Sequence, residues 1–177
     1  LSLFAIAATP AYAQPVTTVS IGDITLAQGE SATIPIMITK DTPQKVSSAR
    51  INLMYNKNVV QVTAVGGSEF DHFEKNIVDG KVRMIGYQEE NPALTTPIKF
   101  ADVTIKAIGN PGDFTPLNLE IVELNMATGP SPIYPREVSN GSVTITVPVP
   151  EYNIFGLSAL VGLLAVILAI SIRVKRK

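Results

Sequence analysis

The 177-residue chain has no cysteine, no tryptophan and a single histidine. Without cysteine there is neither a disulfide framework nor a thiolate zinc set, so an exported domain built from this chain is held by packing alone. The lone His72 sits in Asp71-His72-Phe73-Glu74, and one imidazole beside two carboxylates makes no closed metal site. A Ser-His-Asp triad would need this same histidine, and the Gly-x-Ser-x-Gly elbow that carries a nucleophile is missing. So are a phosphate-cradling glycine loop and a calcium loop with acids at alternate positions. Glu89-Glu90, or Asp71 with Glu74, are the carboxylate pairs that glycoside hydrolysis would require. On an acidic, turn-rich surface they read as solubilising groups. The composition therefore points away from an enzyme, a cofactor and a small-molecule substrate. The lack of tryptophan also starves any flat aromatic platform for sugars, since the five tyrosines (Tyr12, Tyr55, Tyr87, Tyr134 and Tyr152) are scattered.

What the chain does have is one long apolar run. Ile154 to Ile172 is nineteen residues without a charge, twelve of them Leu, Ile, Val or Phe. About 20 apolar residues in a helix span a hydrocarbon core of roughly 30 Å. Arg173, Lys175, Arg176 and Lys177 follow at once, and such a cationic cluster belongs on the cytoplasmic side. The expectation is a single-pass anchor in the lipid bilayer over 154–172, a cytoplasmic tail over 173–177, and everything before it extracellular. At the other end, LSLFAIAATP followed by Ala11-Tyr12-Ala13 looks like the apolar core and cleavage site of a secretory signal. Cleavage after Ala13 leaves Gln14 first, a domain over 14–147 and a stiff linker over 148–153. The part outside the membrane then has ten cations against fifteen acids, a net charge of −5. That balance argues against nucleic acid as a partner.

Between Val16 and Val147 the readable period is two. Ile34, Ile36 and Ile38 alternate with polar or exposed-type neighbours, as do Ile51, Leu53 and Tyr55. Ala101, Val103, Ile105 and Ala107 follow the same rule, with Leu117, Leu119 and Ile121, and Val143, Ile145 and Val147. Such alternation marks strands with one face in a core and the other in water. Turn chemistry separates them at Gln28-Gly29-Glu30, Gly66-Gly67, Asp79-Gly80, Asn110-Pro111-Gly112-Asp113 and Asn140-Gly141. Short strands at this spacing predict an all-β, antiparallel sandwich. Pro35 inside a strand predicts an edge or a bulge. Glu89–Pro97 and Ala127–Pro135 read as longer loops.

The run Ser47-Ser48-Ala49-Arg50-Ile51-Asn52-Leu53-Met54-Tyr55-Asn56-Lys57-Asn58-Val59-Val60-Gln61-Val62 resembles the third and fourth strands of a cohesin domain. Val19 to Ile24, Gln28-Gly29-Glu30, Asp79 to Arg83 and Asn140 to Ile145 extend the resemblance over roughly residues 16 to 147. It implies a nine-stranded jelly-roll that docks a dockerin-like protein module through one flat sheet face. Carried over by position, the contacts are Ser48, Arg50, Asn52 and Met54 on one strand, with Gly86, Gln88 and Glu89 on its neighbour. The chain departs from the family pattern in two of these. An acidic residue is expected where Arg50 stands, and a bulky apolar one where Gly86 stands. The register that turns Gly86 and Gln88 outward also turns Arg83 into the core, at a large desolvation cost.

Two further signals lie outside this match. Pro150-Glu151-Tyr152 ahead of the apolar run is similar to the archaeal Pro-Glu-Phe type of C-terminal sorting signal, with Tyr152 in place of Phe; a plain membrane anchor is the alternative. Asn140-Gly141-Ser142 fits an N-glycosylation acceptor at Asn140, and the Asn-Gly pair equally fits a tight turn. The leading expectation is a cell-surface binding module, with polysaccharide-related assemblies as its setting. Its rivals are a structural component of a surface layer and a module that binds carbohydrate directly.

Overall fold

The computed structural model describes residues 16–40, 43, 45–89, 93–126, 132–134 and 136–148. The expected signal cleavage at Ala13, the sorting motif Pro150-Glu151-Tyr152 and the apolar run 154–172 lie outside these residues. Among the described residues every regular element is a strand, and none forms a helix long and apolar enough to cross a membrane.

In chain order the strands are β1 (Thr17–Ile21), β2 (Ile24–Ala27), β3 (Ser31–Lys40), β4 (Lys45–Met54), β5 (Val60–Gly66) and β6 (His72–Val78). They continue with β7 (Lys81–Tyr87), β8 (Leu94–Thr95), β9 (Ile98–Ala107), β10 (Phe114–Met126), β11 (Arg136–Ser139) and β12 (Gly141–Thr146). Nine of them are five residues or longer, and the short β2, β8 and β11 bring the total to twelve. One sheet has the order β11-β1-β3-β9-β5; the other runs β2-β12-β10-β4-β7-β6, with β8 paired to β4. The sandwich is not wholly antiparallel. β1 lies parallel to β11, and β12 parallel to β2.

The expected inward residues fill the space between the sheets. Ile36, Ile38, Val103 and Ile105 from one sheet meet Ile51, Leu53, Leu117, Val143 and Ile145 from the other, all buried. Two sheets packed face to face bury one side chain in two along each strand, which is what the period of two encodes. Pro35 sits in the stretch of β3 that β1 leaves uncovered, since β1 pairs only with Ile36 to Lys40. There its missing N–H costs no ladder bond. Val147 departs from the expected pattern: β12 ends at Thr146, and Val147 is exposed.

Three phenylalanines hold the two sheets together at one end. On β9 the pairing with β3 skips Phe100, a bulge that turns both Phe100 and Ala101 inward. The Phe100 ring meets Phe70 edge-on at 5.9 Å and Phe73 of β6 at 5.7 Å. Each such pair adds about 0.5–1.5 kcal/mol beyond the area buried.

The Asn140-Gly141 pair is not a hairpin turn. β11 belongs to one sheet and β12 to the other, so the chain crosses between sheets here. Gly141 pairs with Leu117 on β10, and Asn140 Oδ1 accepts the next backbone N–H, that of Leu119, at 2.8 Å. A side chain thus continues the ladder where β12 stops. Both polar side chains of the glycosylation pattern are engaged in the folded domain, since Ser142 Oγ donates to Asp23 Oδ1 at 2.7 Å.

The turn joining β6 to β7 is Asp79-Gly80, and its positive φ of 75° falls on glycine, which carries no Cβ to clash. Lys57 reaches across to Asp79 at 2.7 Å. The hydrogen bond and charge of that ammonium hold the Asp79 carboxyl below its ordinary value. A carboxylate whose folded value is depressed contributes stability above its unfolded value of about 3.9, and loses it as pH falls through the folded value. The group is fully exposed, so solvent screens the effect. In an NMR titration Asp79 should have a midpoint below the ordinary aspartate value, and Lys57→Met should bring it back. An unchanged midpoint in Lys57→Met would remove the assignment of the shift to this ion pair.

Candidate functional site

The outer face of β6, β7, β4 and β10 is where the positions expected on β4 converge. Ala49, Ile51 and Leu53 are buried, so the intervening Ser48, Arg50, Asn52 and Met54 point away from the core. Their neighbours on β10 are Asn125, Glu123, Glu120 and Asn118 in register. A bulge at Val122 interrupts that pairing and leaves Val122 43% exposed, set between the two glutamates.

The β7 contribution differs from the expected one. Val82, Met84 and Gly86 face inward, and Arg83, Ile85 and Tyr87 face outward. A Cβ added to Gly86 would lie 2.9 Å from the Phe70 ring and 3.1 Å from Phe100. Glycine stands at this position because those two rings fill the space its side chain would take. Gly86 thus has nothing to present to a partner, and Gln88 falls past the strand end, where its N–H donates to the Ser47 carbonyl at 2.9 Å. Glu89 is exposed at the end of the face, paired with His72 of β6, whose ring stacks on Tyr87 with centroids 4.8 Å apart. The residues that sequence reasoning missed are Arg83, Ile85 and Tyr87. The signal was the desolvation cost of burying Arg83, which by itself selects the phase observed.

Hydrogen bonds order the face. Asn52 is 8% exposed, and its amide donates to Glu120 Oε2 at 2.7 Å. The same oxygen lies 3.7 Å from Lys81 Nζ. Arg50 reaches Glu123 only at 4.0 Å. Asn125 bridges Ser48 Oγ, at 3.1 Å, and Glu123. A depression of about 400 Å³ lies over Asn52, walled by Arg50, Lys81, Arg83, Ile85 and Val122.

The outer face of the other sheet has a different character. Thr33 and Thr104 hydroxyls bond each other at 2.9 Å, and Thr63 Oγ1 donates to the Thr104 carbonyl. Lys99 bonds Asp102 at 2.8 Å, which holds the Lys99 ammonium above its ordinary value. Those groups satisfy one another. Among the described residues no three His, Asp or Glu side chains gather as a metal set.

Two sheets packed face to face define a domain of the β-sandwich class, one outer face of which carries charged, amide and aliphatic side chains. The chain belongs to the cohesin family: the model of the Cohesin domain matches residues 17–145. Solved structures agree on the fold. A type I cohesin–dockerin complex from Clostridium thermocellum aligns with a TM-score of 0.64 at 16% identity, over 73% of this chain and 99% of that one. A non-cellulosomal cohesin from the hyperthermophilic archaeon Archaeoglobus fulgidus aligns at 0.61 with 20% identity, over 74% and 91%. A third, the ScaC cohesin in complex with a ScaB dockerin from Acetivibrio cellulolyticus, aligns at 0.63 with 14% identity, over 75% and 100%. Among curated proteins none matches. Cohesins are binding modules without catalytic activity, and membership is consistent with the non-enzymatic role expected from the sequence.

Proposed function

We propose that this chain docks a dockerin-like protein module through the outer face of β4, β7 and β10, from the outer surface of a cell membrane. The observation that carries the reading is a patch on this face, where Arg83 has no ion-pair partner among the described residues and stands beside the aliphatic Ile85 and the exposed Val122. Binding energy concentrates at such central anchors, and arginine is enriched among them. Anchoring is supported by the nineteen uncharged residues from Ile154 and the cationic tail that follows. A role in polysaccharide-related assemblies is part of the same proposal.

The intact chain, reconstituted in lipid nanodiscs, should bind at least one dockerin module encoded in its own genome. Ile85→Asp should weaken that binding about tenfold or more while leaving the thermal melt unchanged, as truncating a central anchor does. If no module binds, or Ile85→Asp binds as tightly as the parent, the docking reading fails.

A further inference from the structure

Resting on that docking reading, we propose that this face selects a partner carrying an acidic side chain, seated over Asn52 between Arg50 and Arg83, with an aliphatic neighbour on Ile85 or Val122. The depression there is lined by Arg50, Asn52, Lys81, Arg83, Ile85 and Val122. Three of the six are cations and none is an acid. The carboxylates that compensate them stand on β10 outside the hollow and at the limit of ion pairing, 4.0 Å for Arg50 and 3.7 Å for Lys81. Glu120 is moreover committed to the Asn52 amide at 2.7 Å, which weakens its hold on Lys81. Arg83 has no ion-pair partner among the described residues.

Arg83 and Ile85 also form the ridge between this hollow and a smaller one of about 180 Å³, lined with them by Glu74, Lys75 and Asn76. Guanidinium groups offer planar donor pairs matched to a carboxylate, and a second cation beside the first raises the local preference for an anion. The partner chemistry is a single acid and not a polyanion. The exported part of the chain is acidic overall, with ten cations against fifteen acids, so a long anionic polymer meets repulsion outside this one spot. The aliphatic wall of Ile85 and Val122 gives an apolar neighbour on the partner something to bury against, which a free anion cannot use. Arg50, where the resemblance to the family leads one to expect an acid, reverses the sign of charge read here.

The test is a display library of helical modules with randomised contact positions, selected on the intact chain and in parallel on its Arg50→Glu/Arg83→Glu variant. Both must first show the same thermal melt; if the double variant does not fold, Arg83→Gln takes its place. On the parent chain Asp and Glu should be enriched, with Leu, Ile or Val close by, and individual clones should lose at least about tenfold in affinity for the variant. On the charge-reversed variant the enrichment should switch to Lys and Arg. No acidic enrichment, or the same acids chosen by both baits, overturns the proposal. So does Arg83-dependent capture of heparin or single-stranded DNA, which would make the site a polyanion patch. A chain that binds natural dockerin modules without this charge preference keeps the docking reading and loses this one. A chain that selects acids yet binds no dockerin module does the reverse.

Discussion

Gly141→Ala is expected to destabilise the domain by about 3 kcal/mol or more, well above an ordinary surface substitution. A Cβ at this position would lie 2.2 Å from the Gly22 carbonyl oxygen, and 2.7 Å from both the Gly22 carbonyl carbon and the Ile21 oxygen. All three are backbone atoms, so no rotamer change relieves the clash. Either β12 shifts away from β10, or the Gly22 corner between β1 and β2 moves. The first movement would also break the bond from the Leu119 N–H to Asn140 Oδ1. Gly22→Ala is the matched control on the same contact. Its Cβ would meet nothing within 4 Å, and it should melt within about 1 kcal/mol of the parent. Urea unfolding of the three proteins decides the matter. Equal midpoints for Gly141→Ala and Gly22→Ala would show that the two backbones are not in contact.

Phe100→Ala should cost about 3–5 kcal/mol, the range for truncating a fully buried phenylalanine. Phe100 has no solvent exposure and packs on Phe70 and Phe73. With Phe70 it also fills the volume under Gly86. The loss is therefore greater than that of a hydrophobic area alone: two edge-on ring contacts go with it, and β7 loses its support where glycine provides no side chain. The melting temperature should fall by on the order of 10 °C or more. Binding should weaken further than stability alone accounts for, because β7 carries Arg83 and Ile85 of the proposed docking face. The double variant Phe100→Ala/Gly86→Val tests this geometry, since valine can grow into the vacated space. It should recover part of the lost stability, whereas Gly86→Val alone should destabilise by about 1–3 kcal/mol. If the two changes are simply additive, Phe100 does not fill the Gly86 hollow.

Much of the architecture was legible because burial imposes a period. Ile34, Ile36 and Ile38, or Ala101 to Ala107, alternate in sequence for the same reason that they alternate in space. On β4 the alternation of Ile51 and Leu53 with Arg50, Asn52 and Met54 was legible, although Tyr55, read into the same period, lies just past the strand end at Met54. β6 carried no such pattern. It is an edge strand with most of its residues exposed, so no core pressed a period upon it. β7 was placed one residue out of phase, and Gly86 is the cause. Gly86 has no side chain to declare its face, and a likeness of pattern assigned it outward when the rings of Phe70 and Phe100, distant in sequence, had already claimed the inward space. Asn140-Gly141 misled for a related reason. The pair suits a local turn, yet its glycine answers to a carbonyl more than a hundred residues away.

The sequence by itself determined that this is an all-strand domain with one wet and one dry side to each long strand, because alternation is a local property paid out residue by residue. It also determined that this chain, having no cysteine, forms no disulfide and no thiolate zinc set, and it contains the apolar run that follows the domain. Only the tertiary structure decided which outward residues share a surface. Arg50 and Arg83 line one hollow because β4 pairs with β7, setting Arg50 opposite Ile85 and Asn52 opposite Arg83. Pairing between strands depends on the whole sandwich closing around one core, and no stretch of either strand contains that information alone.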